Sequence, residues 1–427
     1  MPRVRHVGIG TKLMGWSPAW LVAIGMLTGY FALLLALGGH EAWDELGVPP
    51  FTPGFLDLRS LTSGWDCARE GLGEWPDNPC DPLGRPENYP RIWIAASVLG
   101  LGQDDTYLIG SVLVVTFFAA SIVVLPRQAP VGHAVVYGFA LSSPAVMLGV
   151  ERGNVDLALF GLVVAAGLVM RHTPYGAPAA SALVLVAAIL KLFPIAAVIM
   201  LAGLPRRAAV INVASVTGIF TAYAAATFDD IQTINEVLPQ TDDFTYGLHI
   251  FGAWLGRLAG DGRVWDVFII ALTLGAAIAT RRRLRERLQV GATQELDHFR
   301  AGAGIYIATF ALGRSSDYRL VFVLLTIPLL VRWASGGQIV AIATLVGVLV
   351  TLWLPSGWEA SPILDAIIGE WNELTLADGR GLTIDAPAQV LAFIGLTCLL
   401  AATFERTPSV VSRDTATCRS ATSRLEP

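Results

Sequence analysis

Long apolar runs recur along the whole of this chain, and they constrain its fold more than any other feature. A helix needs ~20 apolar residues to cross about 30 Å of hydrocarbon, and many of the runs approach that length. Twelve runs can cross or enter a bilayer: 16–38, 106–125, 131–148, 155–170, 178–190, 195–204, 208–227, 264–280, 301–312, 320–331, 339–354 and 388–404. Only 15% of the 427 residues are charged, whereas soluble domains carry roughly 25%. The sequence therefore predicts an all-α polytopic membrane protein with about twelve (ten to thirteen) transmembrane helices.

The first apolar run indicates how the chain enters the membrane. Arg3, Arg5 and Lys12 precede it, and it is longer than the ~7–15 residues of a signal-peptide core. We therefore expect an uncleaved first helix with a cytoplasmic N-terminus. Residues 1–404 are predicted to form a single transmembrane domain. Residues 405–427, which are rich in Ser and Thr, are predicted to be a disordered cytoplasmic tail.

Arginine placement predicts the sidedness of the loops, because cytoplasmic connections carry an excess of Lys and Arg. With alternating spans, the cytoplasmic side receives Arg127, Arg171, Arg206, Arg207, Arg281, Arg282, Arg283, Arg285, Arg287, Arg300, Arg332 and Arg406. The other side receives three long segments, 39–105, 228–263 and 355–387, which are rich in Asp, Glu, Trp, Pro and Gly. Long polar loops on one side only indicate an extracytoplasmic working face in a plasma membrane, with both termini cytoplasmic.

Within the first outer loop, residues 88–102 are apolar but too short to span a bilayer. Pro90 suits the first turn of a helix, so this segment is predicted to be a helix along the outer surface. Treating it as a spanning helix would invert every later loop and place the five-arginine cluster outside.

The same loop holds Cys67 and Cys80, which have no metal-ligand spacing. In an oxidising extracytoplasmic space they should form a disulfide. We expect no metal site, no cofactor and no nucleic-acid partner.

Charged residues at the edge of an apolar span are expensive, at roughly 2.5–3.5 kcal/mol each at a helix centre, so each needs a reason. Asp57 lies between apolar residues of the first outer loop, and a carboxylate in an apolar setting can act as a general base. The alternative is a helix N-cap or an ion pair with Arg59. Further along the loop, Asn88 and Tyr89 are groups that can bind sugar hydroxyls, although interfacial aromatic residues are also ordinary membrane anchors.

The motif ERGNVD, residues 151–156, lies at the outer end between two apolar helices. Asn154 suits an N-cap and Asp156 the first turn of a helix, while Glu151 and Arg152 either pair with each other or bind a ligand. Lys191 interrupts an apolar run and is followed by Pro194. It is either a snorkelling lysine or the apex of a broken helix, where an ammonium meets a phosphate.

The motif GRSSDYRL, residues 313–320, is a polar interruption that carries Asp317, Tyr318 and Arg319. Asp317 either caps the next helix or contacts Arg319, but arginines outside the positive-inside pattern favour an anionic partner such as a phosphate. These five places all map to the outer side: Asp57, Asn88 with Tyr89, ERGNVD, Lys191 and GRSSDYRL. Carboxylates, hydroxyl-binding groups and cations at one boundary suit a lipid-phosphate substrate and a polar acceptor.

These motifs, in this order and on one side, resemble the GT-C glycosyltransferases. They are most similar to glycosyltransferase family 87, the polyprenol-phosphate-mannose-dependent α-mannosyltransferases. The resemblance rests on five motifs: FLDLR at 55–59, NYP at 88–90, ERGNVD, KLFP at 191–194 and DYRL at 317–320. Members of the family often have a Gln-containing junction where this chain has Glu151-Arg152-Gly153, and a second proline in place of Arg91.

The resemblance implies a GT-C membrane bundle in a bacterial plasma membrane, with an inverting transfer of a sugar from a polyprenyl-phosphate donor to a lipid or glycan acceptor. It implies Asp57 as the catalytic base and Lys191, Arg319 and Arg152 as ligands of the donor phosphate. Sugar and acceptor contacts are expected from Asn88, Tyr89, Glu151, Asn154, Asp317 and Tyr318. The rival hypothesis is a transporter or lipid flippase, which would also have a broken helix and buried charges.

Overall fold

The computed structural model describes residues 17–171, 175–238, 245–258, 260–288, 290–291, 293–312, 315–354, 373–375, 381–383 and 385–404. Within these residues the chain forms fifteen α-helices and five 3₁₀ helices, and its four β-strands are two or three residues long. The predicted all-α architecture is confirmed. The predicted tail, residues 405–427, lies outside the described residues, as does most of the outer segment 355–387.

The helices follow the apolar runs of the sequence. They are α1 (Pro18–Leu37), α2 (Leu56–Glu70), α3 (Thr106–Val124), α4 (Val131–Leu141), α5 (Pro144–Arg152), α6 (Asp156–Val169), α7 (Gly176–Leu190), α8 (Arg206–Ala226), α9 (Phe228–Val237), α10 (Leu248–Leu258), α11 (Gly262–Leu288), α12 (Gln294–Ala311), α13 (Ile327–Ser335), α14 (Ile339–Trp353) and α15 (Asp385–Ala402). The 3₁₀ helices are Gly39–Leu46, Arg91–Leu99, Gln103–Asp105, Phe193–Gly203 and Asp317–Leu325. Strands β1 (Thr245–Tyr246) and β2 (Ser315–Ser316) pair antiparallel, as do β3 (Glu373–Thr375) and β4 (Gly381–Thr383).

Four helices in the described part are long and apolar enough to cross a membrane: α1, Gln103–Val124 (which includes α3), α8 and α11. Two bent pairs reach the same length together, α4 with α5 at 52° and the 3₁₀ helix Asp317–Leu325 with α13 at 56°. Five shorter apolar helices, α6, α7, Phe193–Gly203, α14 and α15, complete the polytopic set.

The bends occur where the sequence analysis expected continuous segments at 131–148 and 320–331. Pro144 and Pro328 stand in the first turns of α5 and α13. Because proline lacks an N–H and clashes with the preceding turn, it begins a new helix instead of extending the previous one. Each long apolar run therefore forms two helices with a corner between them.

The predicted surface helix at 88–102 is shorter in the structure, where a 3₁₀ helix covers Arg91–Leu99. Pro90 precedes it, and Gly100 ends it in the left-handed region with φ 73°. Beneath it, Leu61, Trp65, Tyr89 and Val155 form a small buried cluster that joins the first outer loop to the start of α6. The loop is therefore packed onto the helical bundle.

Arginines that the sequence analysis placed in cytoplasmic connections gather around the first half of α12. Arg171 Nη2 donates to Asp297 Oδ1 at 2.8 Å, and Arg300 Nη1 lies 3.6 Å from the same oxygen. Arg332 pairs with Glu295 at 2.6 Å. The other end of α12 leads to β2 and Asp317. The arginines that were predicted to be cytoplasmic and the polar motif that contains Asp317 therefore lie at opposite ends of α12.

Candidate active site

Four chain junctions converge at one end of the bundle and bring the predicted site residues together. They are the start of α2, the α5–α6 junction, the break after α7, and the step from β2 into the 3₁₀ helix Asp317–Leu325. α5 packs against that 3₁₀ helix and α2 packs against α5. Polar residues from distant parts of the sequence therefore share one environment.

Asp57 is positioned by a close fit between α2 and the α5–α6 junction. Phe55, the residue before α2, lies in the left-handed region with φ 56°, and its N–H donates to the Glu151 carbonyl at 3.3 Å. Gly153 also has a positive φ of 58°, and a Cβ there would lie 3.0 Å from the Phe55 side chain. Both features favour glycine at this position. The backbone two residues before Asp57 is thus locked to ERGNVD.

Asp57 contacts two residues of that motif. Its Oδ2 accepts a hydrogen bond from Asn154 Nδ2 at 2.7 Å. Its Oδ1 lies 3.6 Å from Arg152 Nη1. The Asp57 side chain keeps 15% of its surface exposed. The carboxylate is therefore held in orientation by its neighbours and is still accessible to a ligand.

Asn154 connects Asp57 to Lys191. The Asn154 side chain is fully buried, and its Oδ1 accepts from the backbone N–H of Asp156 at 3.0 Å and from Lys191 Nζ at 3.3 Å. Its Nδ2 donates to Asp57. One amide therefore bridges a carboxylate and an ammonium that are far apart in the sequence.

Lys191 lies at the break in the predicted place, since it follows α7 with extended backbone and Pro194 begins the next helix. Its Nζ pairs with Asp156 Oδ1 at 2.7 Å. The rings of Tyr89 and Tyr318 both lie 5.3 Å from the ammonium. Lys191 is thus held in a cage of one carboxylate, one amide and aromatic faces.

Arg319 lies beside Lys191. Its guanidinium is 5.0 Å from the centre of the Phe193 ring, and Lys191 Nζ is 6.0 Å from the same ring. The buried Nε atom of Arg319 has no hydrogen-bond partner within the described part of the chain, and a buried N–H without a partner is costly. Arg152 instead pairs with Glu151, whose Oε2 lies 3.6 Å from the Arg152 Nε atom. Arg319 therefore has a donor that is suited to receive an anion.

The remaining predicted site residues, Glu151, Asp317 and Asn88, differ in their burial. Glu151 is buried, and its Oε1 accepts from the Phe51 N–H at 2.8 Å. Asp317 is fully buried at the start of its 3₁₀ helix. Asn88 is half-buried next to Tyr89. Arg314, the other arginine of the GRSSDYRL motif, lies outside the described residues.

Residues of the first outer loop contact the start of α2, next to Asp57. Arg85 Nη2 donates to the Leu56 carbonyl at 2.8 Å and pairs with Asp81. Burial opposes ionisation of Asp81, but hydrogen bonds from Arg85 and from the backbone outweigh it and keep the pKa of Asp81 below its usual value. Burial raises the pKa of Glu87 to about 8. A Cys67–Cys80 disulfide, with Cα atoms 5.7 Å apart, closes the loop.

Three residues of the site were not predicted from the sequence. Asp156 was expected only to occupy the first turn of a helix, whereas it is the salt-bridge partner of Lys191. Arg85 and Phe193 were not singled out. A carboxylate at the start of an otherwise apolar helix was the available signal for Asp156, because such a charge needs a partner.

The described residues contain no group of three or more His, Cys, Asp or Glu side chains suited to a metal ion. Metal independence remains a prediction.

Comparison with known proteins finds a family model that matches part of the chain. Residues 97–296 match the model of glycosyltransferase family 87, a segment that includes the ERGNVD and KLFP motifs and excludes Asp57 and Arg319. No curated protein matches the sequence. Two crystal structures of ArnT from Cupriavidus metallidurans are similar at 14% identity, over 90% of this chain and 76–77% of theirs, with TM-scores of 0.36 for the apo state and 0.38 for the state bound to undecaprenyl phosphate. TM-scores this low establish no residue correspondence.

Proposed function

The family resemblance is confirmed over residues 97–296, and from that premise we propose that this chain is a membrane glycosyltransferase that uses a polyprenyl-phosphate sugar donor. Mannose is the proposed sugar and a hydroxyl of a lipid or glycan the proposed acceptor. The observation that carries the proposal is the Asn154 amide, which hydrogen-bonds to both the Asp57 carboxylate and the Lys191 ammonium. Asn154 therefore connects the candidate base, Asp57, with the candidate phosphate ligand, Lys191.

The proposed reaction is a single displacement. Asp57 accepts the proton of the acceptor hydroxyl while that oxygen attacks the anomeric carbon of the donor sugar. The bond from the anomeric carbon to the phosphate oxygen breaks, and polyprenyl phosphate leaves with the bonding electron pair. The product has the opposite anomeric configuration to the donor.

The cations stabilise the departing phosphate. A lysine ammonium has three N–H donors, and Lys191 directs two of them at Asp156 and Asn154. Its third donor and the buried Nε atom of Arg319 can bind phosphate oxygens. Arg152, which pairs with Asp57 and Glu151, supplies further positive charge at the site. Fixed donors of this kind require no reorganisation when negative charge develops in the transition state.

Asn154 takes a positioning role in this proposal. Its hydrogen bond to Oδ2 fixes the plane of the Asp57 carboxylate, so that the other oxygen is presented to the acceptor. Tyr89 and Tyr318 flank Lys191 and supply faces against which a sugar ring can pack. Sugar or acceptor contacts from Asn88, Glu151 and Asp317 also belong to the proposal.

The proposed location is a bacterial plasma membrane with cytoplasmic termini and an extracytoplasmic active face. Its support is the distribution of charge along α12. Arg171, Arg300 and Arg332 surround the first half of this helix, and the candidate site follows its far end. This is the arrangement expected when basic residues stay on the cytoplasmic side.

The test is turnover by purified full-length protein in liposomes that contain a bacterial membrane lipid and glycan extract as acceptor, supplied with radiolabelled polyprenyl-phosphate mannose and, in parallel, polyprenyl-phosphate glucose. We expect labelled sugar in the acceptor fraction with inverted configuration, and release of polyprenyl phosphate. Movement of the intact donor across the liposome membrane without cleavage would contradict the proposal and support the transporter hypothesis.

A further inference from the structure

The buried residues of helix α11 lie in one stripe. Its buried residues recur every four or seven positions and form one stripe: Ile269, Thr273, Ala277, Leu284 and Leu288. The stripe continues to the last residue of the helix, and α11 packs against α10 and α15. The end of α11 is therefore fixed to the bundle, and its other sides face outward.

The outward sides of α11 are apolar and then abruptly basic. Val264, Phe268, Leu272, Leu274 and Ile278 are each more than half exposed, as lipid-facing side chains are. Five arginines follow within positions 281–287, with Glu286 between them. Residues 264–280 rise about 26 Å as a helix, which is close to the ~30 Å of hydrocarbon in a bilayer. The first arginines therefore lie where lipid phosphates begin.

The arginines continue the lipid-facing sides of the helix. Arg281 follows Leu274 by seven residues and Arg282 follows Ile278 by four, spacings that keep side chains on one face. Arg281, Arg282, Arg283 and Arg287 are exposed, and we call these four the arginine collar. Arg285 is half-buried and donates to the carbonyl of Ala402 at the end of α15.

We propose that the arginine collar binds the phosphodiester headgroups of anionic phospholipids. Guanidinium groups match phosphate geometry with paired N–H donors, and juxtamembrane clusters of basic residues attract anionic lipids. Arg171 and Arg332, at the same end of the bundle, pair with carboxylates. The collar is exposed, and its own segment contains one acid, Glu286.

The experiment measures the affinity of the purified full-length protein, in mixed detergent micelles, for phosphatidylglycerol and for phosphatidylcholine with the same acyl chains. The variant is Arg281→Gln/Arg283→Gln/Arg287→Gln, which keeps the Arg285 contact. Each basic residue near a membrane surface contributes roughly fivefold in affinity, so the triple variant should lose roughly 100-fold for phosphatidylglycerol. Its affinity for phosphatidylcholine should not change.

A matched pair of single variants keeps the test decisive if the triple variant cannot be purified. Arg283→Gln should lose roughly fivefold for phosphatidylglycerol, while Arg263→Gln, an exposed arginine at the opposite end of α11, should lose none. Equal affinity of the wild type for both lipids would overturn the proposal. Unchanged affinity of the variants would overturn it too, as would displacement of phosphatidylglycerol by an equal concentration of inorganic phosphate.

Discussion

Replacing Lys191 with Met separates the structural role of this residue from its proposed role in donor binding. The Lys191 and Asp156 side chains are 13% and 1% exposed, and their charged atoms are 2.7 Å apart. Removing one partner of such a buried pair leaves an uncompensated charge and typically costs 3–5 kcal/mol of stability, so Lys191→Met should be destabilised by about 3 kcal/mol. The sequence alone did not predict this contact with Asp156.

The double variant Lys191→Met/Asp156→Asn removes both charges, and its stability should recover to within about 1 kcal/mol of wild type. Donor affinity should not recover. A hydrogen bond to a charged group contributes about 1.5–3 kcal/mol, so donor binding should remain roughly 10–100-fold weaker in both variants. Thermal unfolding in detergent and equilibrium binding of a labelled polyprenyl-phosphate sugar are the two assays. The reasoning is refuted if Lys191→Met unfolds like wild type, or if the double variant binds the donor normally.

Three further predictions concern the first loop and the orientation of the chain. Burial raises the pKa of Glu87 from 4.5 to about 8, so the stabilisation from its protonated form is complete below pH 4.5 and is lost as the pH rises to about 8. Thermal unfolding across this range should show a larger loss of stability in wild type than in Glu87→Gln. The Cys67–Cys80 disulfide should stabilise the loop by ~3 kcal/mol, and a thiol reagent added to denatured, unreduced protein should label neither cysteine; labelling of both would contradict it. A reporter fused after Arg287 should be cytoplasmic and one inserted at 239–244 extracytoplasmic, and the reverse pair of results would remove the argument for sidedness.

Much of the architecture was predictable because it depends on local composition. Apolar runs give the helices, and Pro194 together with Lys191 predicts the break after α7, since a charge and a proline both disfavour a continuous apolar helix. The corners at Pro144 and Pro328 are local as well, but they lie within apolar runs. Hydropathy treats each of these runs as a single span.

The contacts within the site were less predictable, because they depend on how distant segments pack. Asp57 and Lys191 were expected at one outer site, and the structure brings them together through Asn154. That bridge depends on the fit of Phe55 against Gly153, which no pattern in the sequence reports. The sequence analysis expected Asn154 to contact sugar or acceptor, whereas its described hydrogen bonds are to Asp57, Asp156 and Lys191.

The central claim is that Asp57 is the catalytic base, and the most direct test compares sugar transfer with donor binding in Asp57→Asn. The asparagine keeps the shape of the side chain and an oxygen that can accept from Asn154, but it cannot accept the proton of the acceptor. Transfer should therefore fall ~10²–10⁴-fold while donor affinity is largely retained. Asp66→Asn, on the same helix and paired with Arg69, is the matched control and should transfer like wild type. Near wild-type transfer by Asp57→Asn would contradict the account and leave Asp57 as a structural residue of α2.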